Sequence, residues 1–209
     1  MSVSSSDRFL PRRDNVKAEI TDRSLKYDGF IKLYECNVSF NHSNGERRTI
    51  KREIHDHGHA ICVLPVDRER RVAMLVRQLR TGALANGERD PMVLEVAAGL
   101  IDPGEDPEQA TMREAEEELG FRIDDLFHVT SFYASPGTLT EKIDAYLASY
   151  TLDDRIHAGG GLDDEGEDII VEEIALDELG EAVLQGNLRD AKTILLVQYL
   201  MLGEPELFF

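Results

Sequence analysis

The stretch GLIDPGEDPEQATMREAEEELGF, residues 99–121, decides the fold of this 209-residue chain. Asp106 is a suitable helix N-cap, Pro107 is favoured at the first helical position, and Gly120 favours an end to the helix just before it. The pattern therefore predicts a helix over residues 107–119.

Carboxylates crowd the second half of this helix. At about 100° per residue, Glu114 and Glu118 fall on one face, with Glu117 beside them. Like charges at this spacing repel each other, which a bound cation would offset. Oxygen-only ligands indicate Mg²⁺, with Mn²⁺ as an alternative, rather than zinc. Taken alone, a Glu-rich helix is more simply a solvated surface, so the choice depends on the surrounding residues.

Those surrounding residues resemble the Nudix box, the signature of the Nudix hydrolases. Gly99 and Glu105 precede the run REAEEELGF, residues 113–121, at the spacing of that motif. The resemblance implies an α/β fold, namely an α/β/α sandwich with a mixed sheet, here preceded by a small β domain. It also implies hydrolysis of a nucleoside diphosphate linked to another group.

The resemblance further implies roles for individual residues of the box. The metal would be held by the Ala98 carbonyl, Glu114 and Glu118, with Glu117 as a catalytic residue or close support. Glu105 and Arg113 would form a salt bridge that braces the loop against the helix. Gly99 and Gly120 would be structural positions.

Composition limits the class of protein. The chain is 42% apolar, which is ample for a core, and has no apolar run near 18 residues. No basic, hydrophobic leader is apparent, so we expect a cytoplasmic protein with no membrane partner. Cys36 and Cys62 lie in apolar, strand-like contexts and are expected to be buried free thiols.

The charge is distributed unevenly along the chain. The net charge is −18, but residues 1–80 carry 16 Lys/Arg against 11 Asp/Glu, a net of +5, which leaves −23 for residues 81–209. The first part is suited to phosphates and the second to metals. The basic residues are scattered among acids, so nucleic acid binding is not supported.

Along the chain, residues 1–15 are expected to be disordered. Residues 26–55 show a period-two pattern with Asn44-Gly45 between two alternating segments, which predicts a β-hairpin. We therefore place a small β domain at residues 1–57 and the main domain at residues 58–209.

The run HDHGH places His55, His57 and His59 at alternating positions. This spacing suits a zinc site in a strand, but Gly58 interrupts the strand and no fourth ligand lies nearby. The segment is therefore interpreted as the connection between the domains.

Several further segments resemble the nucleotide-sugar branch of the Nudix hydrolases, which includes GDP-mannose and ADP-ribose pyrophosphatases. They include RQLR, ending at Arg80, SPGTLTEK at 135–142 and LRDAKTILLVQYL at 188–200. The substrate contacts implied by this resemblance are Phe30, Lys51, Arg52, Glu53, Arg80, Glu141 and Lys192. Alternatives stay open, since Arg80 and Lys192 suit exposed surface positions and an aromatic residue such as Phe30 suits a strand core.

The loop GGGLDDEGED, residues 159–168, begins with three glycines, contains a fourth, and carries five acids. By itself it suggests a solvated loop, but beside a metal helix it could deliver a general base. By resemblance Glu167 would be a metal ligand or the base, with Glu165 the competing base.

The carboxylate helix and the resemblance together imply Mg²⁺-dependent hydrolysis of a nucleoside diphosphate sugar to a nucleoside monophosphate and a sugar phosphate. The alternatives are an ADP-ribose-specific or dinucleotide pyrophosphatase, and a non-catalytic nucleotide-sugar sensor. We also expect a homodimer, with the amino-terminal hairpin swapped toward the partner's active site, since a β domain of this size buries little core alone.

Overall fold

The computed structural model describes residues 17–42, 44–162 and 168–209. Contacts divide these residues into two units. The first unit contains the described residues up to His57 together with Ser135–Thr140. The second unit contains Gly58–Ala134 and Glu141–Phe209. The segment 135–140, which the sequence analysis placed in the main domain, thus groups with the amino-terminal residues.

The first unit is an antiparallel sheet of strand order β1-β2-β3. Its strands are β1 (Ala18–Asp28), β2 (Lys32–Asn41) and β3 (Arg47–Asp56). The predicted hairpin is confirmed as β2 and β3, and Gly45 adopts a φ of +88° in the turn between them. Strand β1 was not predicted. Register shifts along it break the period-two alternation by which a strand is recognised in sequence.

The segment 135–140 is tied to the end of β3. His55 donates its backbone N–H to the Thr138 carbonyl at 2.8 Å and accepts from the Thr140 N–H at 3.1 Å. The Thr140 hydroxyl donates to the Asp56 carboxylate at 2.8 Å. This short stretch therefore extends the hydrogen bonding of the first unit.

The second unit is built on a mixed sheet of order β10-β5-β4-β9-β8, with β6 paired to β5 and β7 to β4. Its strands are β4 (Ala60–Asp67), β5 (Val72–Leu79), β6 (Met92–Glu95), β7 (Ala97–Leu100), β8 (Leu126–Tyr133), β9 (Lys142–Ser149) and β10 (Ile170–Ala175). Strands β4 and β9 are parallel, whereas the other pairs are antiparallel. Strand β4 is buried at every position, as a near-continuous apolar run at the centre of a sheet should be.

Helices cover both faces of this sheet. They are α2 (Pro107–Glu114), α3 (Leu176–Leu184) and α4 (Ala191–Gly203), and α2 continues into a π-helical turn at Ala115–Leu119. The short helix α1 (Thr81–Ala85) has no buried residues. Alternate residues of β4 point to opposite faces, so that Leu64 packs with Leu196 of α4 whereas Ile61 packs with Ala110 of α2. This is the predicted α/β/α arrangement.

Cys36 and Cys62 are buried free thiols, as predicted. Burial raises the pKa of the Cys62 thiol to about 12. Within the described residues, no helix is both long and apolar enough to cross a membrane.

Candidate active site

The first turn of α2 is fixed by a capping box. The Asp106 carboxylate accepts from the Gln109 N–H at 2.9 Å, and the Gln109 side chain accepts from the Asp106 N–H at 3.2 Å. Pro107 occupies the first helical position, as predicted. Such a cap stabilises a helix by about 1 kcal/mol.

The helix ends as predicted at Leu119, but its last turn is wider than an α-helix. Residues Ala115–Leu119 are π-helical, and Gly120 closes the turn at a φ of +77°. A Cβ at Gly120 would lie 2.4 Å from the His157 carbonyl oxygen, so the position requires glycine sterically as well. Because the turn is wide, the 100° spacing used for Glu114 and Glu118 does not hold across it.

Arg113 forms salt bridges with three carboxylates at the start of this turn. Its guanidinium bonds Glu105 through two contacts of 3.1 Å, which is the salt bridge expected from the sequence. It also lies 2.8 Å from Glu114 and 3.0 Å from Glu117. The bonds from Arg113 hold the pKa of Glu105 below its usual range, and the same acids raise the pKa of Arg113.

Two carboxylates lie against the backbone of β7. Glu118 is only 2% exposed, and its Oε2 accepts from the Ala98 N–H at 3.1 Å. A Cβ at Gly99 would lie 1.8 Å from Oε1 of Glu114. A side chain at position 99 would therefore displace the Glu114 carboxylate from the β7 backbone.

The donors gathered here suit a hard divalent cation, since they are carboxylate and backbone oxygens. Among the described residues, however, no three His, Cys, Asp or Glu side chains already converge as a metal cluster. Glu114 and Glu117 are turned toward Arg113 instead. The oxygen donors of these residues therefore suit a metal ion, but in this structure the carboxylates of Glu114 and Glu117 are paired with Arg113.

A second charged cluster lies beside this helix. Arg80 bonds Glu95 through contacts of 2.6 and 2.9 Å, and Lys192 reaches Glu95 at 3.1 Å and Asp190 at 2.7 Å. The negative charge of Glu118 also contributes to raising the pKa of Arg80. The structure thus brings Arg80 and Lys192 together near the helix.

Neither Arg80 nor Lys192 is a simple surface cation. Lys192 is only 17% exposed, so the alternative of an exposed surface position is wrong for this residue. Burial opposes its charge, but Asp190 and Glu95 outweigh burial and raise its pKa. Burial likewise opposes the charge on Arg80, and bonds to Glu95 still raise its pKa.

Sequence reasoning missed Glu95, the residue at the centre of this cluster. It is 3% exposed, in a run of otherwise apolar residues, MVLEVAA. A carboxylate in such a strand is rarely buried without a partner. A lone acid within an apolar run therefore indicates a buried ion pair, and this was the signal that the sequence offered.

Two glycines of the acidic loop, Gly160 and Gly161, bond the end of the π-helical turn. The Gly160 N–H donates to the Glu118 carbonyl at 2.8 Å, and the Gly161 N–H donates to the Glu117 carbonyl at 3.1 Å. A Cβ at Gly159, whose φ is +72°, would lie 2.5 Å from the Glu118 carbonyl oxygen. The loop therefore starts in direct contact with the carboxylate helix, although Glu165 and Glu167 lie outside the described residues.

Comparison with known proteins places this geometry in a family. The NUDIX domain model matches residues 56–197, which include the carboxylate helix and both charged clusters. The chain belongs to the NUDIX family. Nudix hydrolases are generally dependent on a divalent metal.

Relatives cover nearly the whole chain. A GDP-mannose pyrophosphatase of Cronobacter sakazakii is 39% identical over 183 residues, covering 88% of this chain and 94% of that protein. A GDP-mannose pyrophosphatase of Escherichia coli O157:H7 is 33% identical over 184 residues, with 88% and 94% covered. A solved ADP compounds hydrolase matches with a TM-score of 0.64 and 22% identity, covering 90% of this chain and 96% of that chain, which shows the shared Nudix fold.

The remaining predicted substrate residues are divided between the two units. Lys51, Arg52 and Glu53 lie on β3 and are exposed, and Lys51 bonds Glu35 at 3.5 Å. Phe30 is 83% exposed in the turn before β2, so the alternative of a strand core is wrong. Glu141, in the second unit, is half-buried immediately before β9.

The three histidines do not form a metal site among the described residues. The rings of His55 and His57 lie 4.7 Å apart, and Phe30 stacks on His57 at 6.4 Å. His59 instead accepts the Lys142 N–H through Nδ1 at 3.2 Å. The boundary between the two units falls within this segment, after His57.

Proposed function

We propose that this Nudix protein hydrolyses the pyrophosphate bond of a nucleoside diphosphate sugar, giving a nucleoside monophosphate and a sugar phosphate. The observation that carries the proposal is the packing of Glu114 and Glu118 against the β7 backbone, with Arg80 and Lys192 beside them. Relatives named GDP-mannose pyrophosphatase that match over 88% of the chain support GDP-mannose as the first substrate to test.

The proposed metal ligands are the Ala98 carbonyl, Glu114 and Glu118, with Glu117 in close support. Mg²⁺, or Mn²⁺ in its place, would neutralise phosphate charge and lower the pKa of a water molecule. Because Glu114 and Glu117 are bonded to Arg113, ligation would require them to exchange part of that pairing for the cation. The salt bridge between Glu105 and Arg113 would remain when Glu114 and Glu117 turn toward the cation.

In the proposed reaction, water attacks one phosphorus and the bond from that phosphorus to the bridging oxygen breaks. A general base takes the proton of the water, and Glu165 and Glu167 are the two candidates. Arg80 and Lys192 would stabilise the charge that develops on the phosphates. The charge on the bridging oxygen leaves with the second phosphate.

The amino-terminal sheet would complete the site in a homodimer. Its β3 carries Lys51, Arg52 and Glu53 on exposed positions, and Phe30 is available for stacking. We propose that these residues serve the partner's active site in a swapped arrangement. A cytoplasmic location also stays a prediction.

A phosphate-release screen tests the proposed activity. A phosphatase that acts on monoesters but not on diphosphate diesters would be coupled to reactions with GDP-mannose, ADP-ribose, a dinucleotide and other nucleotide sugars. We expect metal-dependent phosphate release that is fastest with a nucleotide sugar. Preference for ADP-ribose or a dinucleotide would favour those alternatives, and binding without release would favour a sensor.

A further inference from the structure

Glu95, at the end of β6, is a buried carboxylate whose two oxygens are both occupied by cations. Its Oε1 accepts from Arg80 Nε at 2.6 Å. Its Oε2 accepts from Arg80 Nη2 at 2.9 Å and from Lys192 Nζ at 3.1 Å. Burying the Glu95 carboxylate costs desolvation free energy, which these charged hydrogen bonds offset only in a suitable geometry. Arg80 and Lys192 are therefore held in one arrangement around it.

The rest of the cluster fixes Glu95 to α4. Asp190 bonds Lys192 through Oδ1, and its Oδ2 caps α4 by accepting from the Thr193 N–H at 2.9 Å. The Thr193 hydroxyl accepts from the Val96 N–H at 2.9 Å, immediately after Glu95. Two cations and two carboxylates therefore balance in charge and lock β6 to the start of α4.

The bonds leave one edge of Arg80 available. Nε and Nη2 are used by Glu95, while Nη1 has no protein partner in the part of the chain that the structure describes. The Arg80 side chain is 41% exposed, in contrast to 17% for Lys192. A planar guanidinium held on one edge and open on the other is suited to binding a phosphate oxygen.

We infer that Glu95 is a positioning residue for the diphosphate of the substrate: it holds Arg80 and Lys192 so that the open edge of Arg80 meets a phosphate beside the Nudix helix. Glu95 is not suited to be a base or a metal ligand, because its oxygens already accept three charged hydrogen bonds. This inference rests on the proposed function.

The test compares Glu95→Gln with the wild type by calorimetric titration of GDP-mannose in EDTA, where metal-dependent turnover is prevented. We expect the Kd to rise about tenfold or more, because Gln cannot hold both cations. Glu173→Gln is the matched control, since Glu173 also pairs with an arginine, Arg70, and with the Tyr150 hydroxyl at 2.8 Å. It should leave the Kd within about twofold of wild type.

Removing a buried charge can prevent folding, so Glu95→Asp provides a second variant. It keeps the charge but is one methylene shorter and cannot span both Arg80 and Lys192. We expect a higher Kd here too. In the presence of Mg²⁺, folded variants should raise KM more than they lower kcat and leave the Mg²⁺ concentration for half-maximal activity unchanged.

The outcomes separate this inference from the proposed function. A wild-type Kd in either folded Glu95 variant would overturn the inference even if the wild-type chain hydrolyses GDP-mannose. Weaker binding in these variants of a chain that binds but does not hydrolyse GDP-mannose would support the inference and overturn the proposed function. A changed Mg²⁺ requirement would overturn the inference, because Glu95 would then act on the metal.

Discussion

At the scale of single residues, Glu118 is the most informative position, because it is buried yet bonded to the backbone N–H of Ala98. Glu118→Gln retains the side-chain volume and an oxygen that can accept this bond. We expect the fold to survive and kcat to fall by several orders of magnitude, since one proposed ligand charge is lost.

Steady-state kinetics and thermal unfolding of Glu118→Gln test this prediction. Glu116→Gln, on the same turn, is the control and should retain turnover. If Glu118→Gln keeps turnover within about tenfold of wild type, a barrier change of roughly 1.4 kcal/mol, the role assigned to this helix is wrong.

Glu105→Gln tests the brace beneath the same helix. Because Arg113 lowers the pKa of Glu105 from 4.5, the pair stabilises the folded state fully above that pH and loses the effect as pH falls through the lower, folded pKa. We expect Glu105→Gln to cost about 1–2 kcal/mol at neutral pH. The difference from wild type should become smaller as the pH falls below 4.5.

Denaturant unfolding at pH 7 and at about pH 3 measures this difference. The control is Glu46→Gln, whose exposed pair with Arg48 is screened by solvent, so its unfolding free energy should stay close to that of wild type at both pH values. A destabilisation by Glu105→Gln that is equal at both pH values would show that charge pairing is not its cause.

The sequence was sufficient to predict the contacts of residues whose partners are close to them in the chain. Asp106 lies directly before the helix that it caps, and Glu105 and Arg113 are only eight residues apart. The spacing of the motif is therefore enough to predict both contacts. Glu95 is different, because its partners Arg80 and Lys192 are brought to it by β5 and α4. Only the tertiary fold reveals that contact.

At the scale of elements, the contact between the glycine segment and the π-helical turn makes a prediction. Gly159→Ala would place a Cβ 2.5 Å from the Glu118 carbonyl oxygen at a φ of +72°. Gly186→Ala is the matched control, because its φ is also +72° but nothing lies within 4 Å of its Cβ. We expect the control to cost about 1 kcal/mol from backbone strain and Gly159→Ala to cost more.

Gly159→Ala should also lower kcat, because the clash displaces the backbone of Glu118, whereas Gly186→Ala should not. Unfolding free energies and kcat of both variants provide the comparison. Equal destabilisation with unchanged kcat would show that the glycine segment does not position the helix.

Elements with a regular period were predicted well, and irregular ones were not. The buried run of β4 and the capped start of α2 are recognisable in sequence. Strand β1 is interrupted by register shifts, and α1 is a five-residue helix with neither a side-chain cap nor buried residues. The π-helical turn accepts bonds from Gly160 and Gly161, which lie about 40 residues further along the chain and are not recognisable as partners in sequence.

At the scale of the whole molecule, the first unit motivates the homodimer proposal. Strand β1 is exposed almost throughout and displays Ile20, Leu25 and Tyr27. A three-stranded sheet that buries so little is marginally stable alone. Its basic residues would also complement the acidic half of a partner chain, which carries the carboxylate helix.

Mixed dimers test this sharing of sites. Arg52→Ala and Glu118→Gln chains should each be nearly inactive alone. If the first unit serves the partner, a mixed dimer has one site with both defects and one with neither, so mixing should restore activity toward the level of one site per dimer. No recovery despite proven subunit exchange would show that the hairpin serves its own chain or does not contact substrate.

³¹P NMR of GDP-mannose with Mg²⁺ tests most directly whether the carboxylate helix cleaves the diphosphate of a nucleotide sugar. The wild type should replace the two diphosphate resonances with equal amounts of two monoester resonances, GMP and mannose 1-phosphate, and Glu118→Gln should leave them intact. Formation of GDP with free mannose, or equal turnover by Glu118→Gln, would contradict the proposed reaction.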